Sequence, residues 1–284
     1  MMSKFYNNMK TALLLGVLTA VILGIGSIWG SQGLIFALFI AAGMNFVAYF
    51  FSAKIAIMSM RAYEVGPDHL LYRIVAELAQ RAKLPMPRVY VSPIEAPNAF
   101  ATGRSPRNAA VCATEGLLQM LEPNEIAGVM AHELAHVKHR DILIQSVAIT
   151  IGAAIGVLAR INFFSGRDRE GNALLGFLAL ILAPLAAALI QAAISRSREF
   201  NADKSGAELC GDPMALATAL EKIHALNHRI PTDVNPAFNS MFIAEPMGML
   251  RGMANLFQTH PPLEKRLLNL IGKPETGLIP HEEE

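Results

Sequence analysis

The chain has 284 residues, of which 53% are hydrophobic and only 17% are charged, and its formal net charge is +1. Soluble domains carry about 25% charged residues, so part of the apolar content must lie outside a soluble core. The near-neutral charge gives no electrostatic support for binding nucleic acid. The two cysteines, Cys112 and Cys210, predict neither a disulfide-stapled fold nor a cysteine zinc site.

The first predicted element is an apolar stretch from residue 11 to residue 53 that contains no Asp, Glu, Lys or Arg. A membrane-spanning helix needs about 20 apolar residues, and this stretch is roughly twice that length. Gly30-Ser-Gln-Gly33 interrupts it, with Trp29 at the break in the manner of an interfacial anchor. We therefore predict two spans, over about 11–30 and 33–53. A cleaved signal peptide is the alternative, but its apolar region would be shorter and no second span would follow at once.

A polar segment follows, and its local patterns alternate between helix and strand. Residues 68–83 have helical periodicity, which ends before two prolines. Three short stretches, 88–92, 98–103 and 109–113, have the composition and alternation of strands. Glu122-Pro-Asn-Glu opens a further helix, predicted over about 123–141, because proline is favoured in a first helical turn. This segment predicts a small sheet among helices.

The helix that begins near residue 123 carries His132-Glu-Leu-Ala-His136. Residues four apart lie on one helical face, so both imidazoles can reach a single zinc ion, at about 2.0–2.1 Å. Glu133 would point past the metal toward a water molecule, as a general base must. The alternative is a helix surface with two scattered histidines. A catalytic zinc usually has three protein ligands, and the position six residues past His136, which metzincins use, is Ile142. The third ligand must therefore come from elsewhere.

Two more apolar runs, 142–161 and 171–195, are separated by a short charged joint. Their length and lack of charge predict a second transmembrane hairpin, with two buried core helices as the alternative. A hairpin returns its chain to the surface that it left. The segment from Ser195 to Asp203 should therefore emerge beside the His132–His136 helix.

Glu199 is the first carboxylate of this returning segment, and we predict that it is the third zinc ligand. Asp203 lies four residues further on the same helical face, where it could orient a ligand histidine. Glu199 could instead be a solvated charge paired with Arg196 or Arg198. Asp203 could likewise be an ordinary charge in the first turns of a helix.

Basic residues flank the predicted spans on one side of the membrane. They are Lys4, Lys10, Lys54, Arg61, Lys138, Arg140, Arg196 and Arg198. Because positively charged flanks remain in the cytoplasm, we predict cytoplasmic termini and a cytoplasmic metal site. Arg167 and Arg169 oppose this weakly, since acidic residues share their loop. The polar residues 138–141 also place the site at the surface, unlike that of an intramembrane site-2-type metalloprotease.

Three motifs occur in a fixed order, His132-Glu-Leu-Ala-His136, Arg198-Glu-Phe-Asn-Ala-Asp203 and His260-Pro-Pro-Leu-Glu-Lys-Arg266. Together they resemble the HtpX family of heat-shock membrane proteases, kin to the CAAX prenyl endopeptidases. The resemblance covers nearly the whole chain. It implies a zinc endopeptidase of the bacterial inner membrane that acts in quality control, with one Zn²⁺ per chain. It also implies Glu199 as third ligand, independently of the hairpin argument.

The resemblance adds two further groups of site residues. It places His260 near the metal, where the histidine could donate a hydrogen bond to the oxyanion or bind zinc as an inhibitory ligand; it could also merely turn the chain. Arg266 could anchor that segment through a salt bridge. Residues 98–103 are similar to a strand motif of the family. Because a substrate must be extended for cleavage, we predict that Asn98, Ala99 and Phe100 form a substrate-binding edge; an internal strand is the alternative.

The predicted fold is α+β and mainly α, a zincin-like gluzincin protease domain with a small β-sheet plus four transmembrane helices in two hairpins. Its predicted segments are a transmembrane hairpin at 1–53, a protease part at 54–141, a second hairpin at 142–195 and a second protease part at 196–284. The predicted partners are unfolded or membrane protein substrates, the lipid bilayer and membrane quality-control proteins. A non-catalytic zinc-binding scaffold is the rival class, although a structural site needs no base at Glu133.

Overall fold

The computed structural model describes residues 2–148, 150, 196–227 and 261–277. This part of the chain is mainly helical with a small mixed sheet, which confirms the coarse fold prediction. Its elements are α1 (Met2–Gly26), α2 (Gly30–Ser59), β1 (Tyr63–Glu64), α3 (Leu70–Ala82), β2 (Arg88–Ser92), β3 (Ala99–Gly103), β4 (Ala109–Thr114), α4 (Glu115–Met120), α5 (Pro123–His139), α6 (Arg196–Cys210), α7 (Pro213–Asn227) and α8 (Leu263–Ile271). Most of the predicted second hairpin lies outside the described residues; the backbone is helical over 142–148.

Helices α1 and α2 pack against each other across a single 3-10 turn at Ser27–Trp29. Two glycines permit the close approach, since a Cβ atom on Gly33 would lie 2.3 Å from the carbonyl oxygen of Gly26. Further along the pair, the side-chain amide of Asn45 donates to Oγ1 of Thr19 at 2.8 Å. By length and composition alone, Asn8–Ser59 is the one stretch of the described chain that is apolar enough to cross a membrane.

The four-stranded sheet has the order β1-β2-β4-β3, with β2 and β4 parallel and the outer pairs antiparallel. Alternate residues point to opposite faces of a strand. One face, which includes Tyr90, Phe100 and Cys112, packs against the end of α2 around Met60. The other face contributes its valines and alanines to the core formed with α3 and α5. The sheet therefore lies between α2 and the helix that carries both histidines.

Helix α5 is buried without interruption from Gly128 to Val137. A helix that is buried all round must be enclosed by other elements, and α3, α6, α7 and β3 surround this one. Its N-terminus carries a reciprocal capping box between Glu122 and Glu125, with Pro123 in the first turn. The start of α5 thus agrees with the sequence prediction.

The end of α5 differs from the prediction by two residues. The helix stops at His139 rather than at 141, because Arg140 adopts a left-handed conformation with φ 63°. The backbone N–H of Asp141 then donates to the carbonyl of His136 at 3.0 Å. This pattern is a common C-terminal cap, and it turns the chain back toward the second histidine.

Candidate metal centre

Three side chains bring their ligand atoms to one buried point. The Nε2 atoms of His132 and His136 are 3.2 Å apart. From α6, Oε2 of Glu199 lies 3.7 Å from Nε2 of His132, and Oε1 lies 3.6 Å from Nε2 of His136. All three residues are at most 3% exposed. The structure thus brings the two histidines of one helix together with a carboxylate from a distant segment.

A glycine sets how closely α6 can approach α5. Glu199, Asp203 and Gly206 recur at spacings of four and three residues, so they share one helical face. A Cβ atom on Gly206 would lie 2.8 Å from both the N and the Cα atoms of His132, which is too close for any side chain. The absence of that side chain lets α6 lie directly on α5, within reach of both imidazoles.

The second nitrogen of each imidazole faces another carboxylate. Nδ1 of His132 lies 2.9 Å from Oδ1 of Asp203, an ion-pair distance without the alignment of a full hydrogen bond. Nδ1 of His136 lies 3.3 Å from Oδ2 of Asp141. A carboxylate beside Nδ1 favours a proton there, which leaves the lone pair of Nε2 for a metal. Both rings are therefore oriented as metal ligands.

Sequence reasoning missed the role of Asp141, which it treated only as part of a polar flank. The residue is 2% exposed and reaches His136 because the left-handed Arg140 reverses the chain. The sequence carried no local signal for this contact, because the helix was predicted to continue through residue 141 and the left-handed turn at Arg140 was not predicted.

A buried arginine supports Asp203 from the opposite side. Nε of Arg266 donates to Oδ2 of Asp203 at 2.9 Å, and a terminal nitrogen donates to Oδ1 at 2.6 Å. Burial raises the pKa of Asp203, but the Arg266 guanidinium and the adjacent His132 outweigh that effect and hold the pKa well below its usual range. The carboxylate therefore remains ionised beside the ring.

The donor set fits a zinc ion. In a tetrahedral site with bonds of about 2.05 Å, two ligand atoms lie roughly 3.3 Å apart, close to the 3.2, 3.6 and 3.7 Å separations observed. Burial lowers the pKa of His136, yet Glu199, Asp141 and Glu133 more than offset this and raise it to about 9. Without metal, these carboxylates favour the doubly protonated imidazolium, and a cation would displace its Nε2 proton on binding.

The remaining predicted residues are placed as follows. Glu133 is buried on α5 between the two histidines, and its charge contributes to raising the pKa values of His136 and Arg266. Asn98 is buried and leads into β3, which contains Ala99 and Phe100 and forms an edge of the described sheet. His260 lies outside the described residues.

Zinc peptidases whose ligands lie on a helix use this arrangement. Two imidazoles stand one helical turn apart with a glutamate between them, and a carboxylate from a distant segment lies opposite. Fold and site together define a metallopeptidase. The family model described as Peptidase family M48 matches residues 67–273. The proteins named Protease HtpX homolog from Burkholderia cenocepacia (strain HI2424) and Burkholderia mallei (strain SAVP1) are each 50% identical over 282 residues. These alignments cover 96% of this chain and 99% of each relative.

The chain belongs to peptidase family M48. The resemblance to HtpX proteases that its motifs indicated is confirmed by this identity. Among solved structures, the fold is similar to that in the crystal structure of S. mikatae Ste24p, with a TM-score of 0.53 and 18% identity. The match covers 95% of this chain and 67% of that one, and at this identity it supports the fold alone.

Proposed function

We propose that this metallopeptidase is a zinc endopeptidase, anchored in the bacterial inner membrane, that cuts misfolded or damaged membrane and cytoplasmic proteins. It binds one zinc ion per chain through His132, His136 and Glu199. The observation that carries the proposal is the convergence of these three buried ligand atoms within 4.8 Å of one another. Glu133 next to the first ligand favours catalysis over a structural metal site, which needs no base.

When bound, zinc supplies Lewis-acid activation of a water molecule and of the scissile carbonyl. Asp203 and Asp141 hold the two imidazoles in the orientation that directs Nε2 toward the ion. Glu133 takes a proton from the attacking water and passes it to the leaving amine, which is general acid–base catalysis. His260 donates a hydrogen bond to the oxyanion, or serves as an inhibitory ligand in the resting enzyme.

The outer edge of β3 is the proposed binding site for an extended substrate. The carbonyl of Asn98 accepts from the N–H of Thr114 at 2.9 Å, so this residue faces β4. Main-chain groups alternate in direction along an antiparallel strand, which turns those of Ala99 and Ala101 outward. The next outward group, the N–H of Gly103, donates to Oγ of Ser146 at 3.2 Å. Among the described strands, none pairs with the outward main-chain groups of Ala99 and Ala101. These two residues are only 1% and 8% exposed, and within the proposed edge that begins at Asn98, Ala99 and Phe100 they are the positions whose main-chain groups would pair with a peptide.

This pairing predicts that N-methylation of a substrate peptide will slow cleavage at every second residue, because only alternate N–H groups of the peptide face β3. A peptide N-methylated at a residue whose N–H pairs with β3 should be cut about fivefold more slowly, since the loss of one main-chain hydrogen bond costs about 1 kcal/mol. The same peptide methylated one residue along, where the N–H points away, is the matched control. Equal rates for the two peptides would refute strand pairing.

The surface of the N-terminal helices supports membrane anchoring. Large apolar side chains on α2 are widely exposed, with Phe36 at 70% and Phe39 at 74%. A soluble protein rarely exposes a continuous apolar surface of this kind, whereas lipid would cover it. The basic flanks of the predicted spans, including Lys54 and Lys138, support a cytoplasmic location for the active site.

One experiment tests anchoring and metal dependence together. Membranes from cells that express the full chain should retain casein-cleaving activity after a carbonate wash that removes peripheral proteins. A zinc chelator should then lower this activity by about 100-fold or more, because zinc supplies the activation of water, and added zinc should restore it. Activity in the wash fraction would refute anchoring. Chelator-resistant cleavage in the membrane fraction would refute the zinc mechanism.

A further inference from the structure

Helix α8 brings a buried cation to the metal centre from near the end of the described chain. Arg266 is 2% exposed, and its neighbour Leu267 is fully buried. Burying an arginine is unfavourable unless an anion pairs with it in good geometry. Asp203 provides that geometry, because both of its oxygens accept from the guanidinium. The guanidinium of Arg266 therefore forms a bidentate ion pair with the carboxylate of Asp203.

The same carboxylate contacts the first metal ligand. Oδ1 of Asp203 lies 2.6 Å from a terminal nitrogen of Arg266 and 2.9 Å from Nδ1 of His132. Two parallel hydrogen bonds from a planar guanidinium fix the plane of a carboxylate and prevent its rotation. Arg266 thus determines where the oxygen beside His132 lies, without touching the ligand atoms itself.

The chain after α8 has an independent attachment. The backbone N–H of Thr276 donates to Oε1 of Glu221 on α7 at 2.6 Å, and the Thr276 hydroxyl bonds to the other oxygen. Glu221 is itself 5% exposed. The far end of this segment is therefore fastened to α7, while Arg266 fastens its beginning to α6. A change at Arg266 can alter the metal centre without releasing the whole segment.

We propose that Arg266 is a positioning residue of the metal centre, which acts through Asp203 on the ring of His132. The inference rests on the proposed function, in which His132 binds zinc. Because a coupling between two events acts equally in both directions, zinc binding also stabilises the docking of α8. The C-terminal helix is thereby part of the metal centre rather than a peripheral attachment.

Zinc affinity provides the first test, measured on the full-length chain in detergent by competition with a chelator. Arg266→Gln should weaken zinc binding by about 10- to 100-fold, as loss of an outer-shell partner does. Arg266→Lys keeps the positive charge but loses the paired hydrogen bonds of the guanidinium to Asp203. Its zinc affinity should lie between that of Arg266→Gln and that of the wild type. Lys265→Gln, which removes the adjacent exposed cation, should bind zinc like the wild type. Wild-type affinity in Arg266→Gln would overturn the proposal.

A double-mutant cycle with Asp203→Asn tests whether Arg266 affects zinc affinity through Asp203. If Arg266 acts through Asp203, adding Arg266→Gln to Asp203→Asn should change zinc affinity by less than about threefold. If the losses of zinc affinity in the two single variants were fully additive in the double variant, Arg266 would not act through Asp203 and the proposal would be overturned. If the wild type itself binds no zinc, the proposed function fails together with the inference; if only the Arg266 effect is absent, the inference alone fails.

Hydrogen exchange of the wild type needs no substitution and therefore does not depend on whether a variant folds. Removal of zinc should speed amide exchange in α8 by about tenfold or more relative to α3, which has no attachment to the carboxylate. Equal changes in the two helices, or none in α8, would overturn the coupling between zinc and α8.

Discussion

Replacing Glu199 with alanine should remove the metal and the proteolysis together. The substitution takes away the carboxylate that faces both Nε2 atoms, at 3.6 and 3.7 Å. Two imidazoles would remain, whereas a catalytic zinc usually has three protein ligands. We expect zinc content to fall from about one per chain to near zero and casein cleavage to fall by about 10³-fold or more.

The matched control for this variant is Glu208→Ala. Glu208 lies on the same helix but is exposed, so its removal changes the charge of α6 equally without reaching the metal centre. It should retain zinc and activity. Circular dichroism of both variants would show whether α6 has formed. If folded Glu199→Ala protein kept its zinc and its proteolysis, the ligand set would have to be assigned again.

Glu133→Gln should produce the opposite pattern, a protein that keeps its zinc and loses its activity. Glutamine has nearly the same size as glutamate but cannot accept a proton from water. We expect kcat to fall by about 10²- to 10⁴-fold, the usual contribution of general acid–base catalysis. KM and zinc content should change little, because Glu133 does not belong to the ligand group.

Glu133→Asp separates the chemistry of this side chain from its position. Aspartate can still accept a proton, but its carboxylate is one methylene further from the substrate, so we expect activity between that of wild type and Glu133→Gln. Wild-type turnover by zinc-loaded Glu133→Gln would show that another group is the base. Failure of zinc-loaded wild type to cut any unfolded substrate would favour a non-catalytic scaffold.

Local patterns predicted the central elements well. Strand alternation at 88–92 agrees with β2, and the predicted strands at 98–103 and 109–113 differ from β3 and β4 by one residue each. Two short elements of this segment, β1 and α4, were not predicted, and neither were helices α7 and α8 further along the chain. Strand β1 has only two residues, and Tyr63 is extended because it pairs with Val91 on β2. Such an element depends on its partner, so its own sequence carries little signal.

The metal centre was predictable to the extent that its contacts are local. The spacing of His132 and His136 defines a shared helical face, so the pair follows from the sequence alone. Placing Glu199 beside them required an argument about topology, because it comes from a distant segment. The partner of Arg266 could not be derived, since the sequence indicated a salt bridge but not with which residue. The contact of Asp141 depends on one left-handed residue that nothing in the local pattern announced.

The sheet, which lies between α2 and α5, determines how far the metal centre stands from α2. One sheet face is packed on the end of α2 and the other on α5, so the sheet connects the two helices through two packed faces. A tilt of either helix would disrupt one of these packed faces. Under the proposed anchoring of α2 in lipid, a zinc ion bound by His132, His136 and Glu199 would stand at a fixed height above the bilayer. A polypeptide would then be cut only where a flexible segment of it can extend to that height, so flexibility of the substrate, rather than motion of the enzyme, would be the requirement for cleavage.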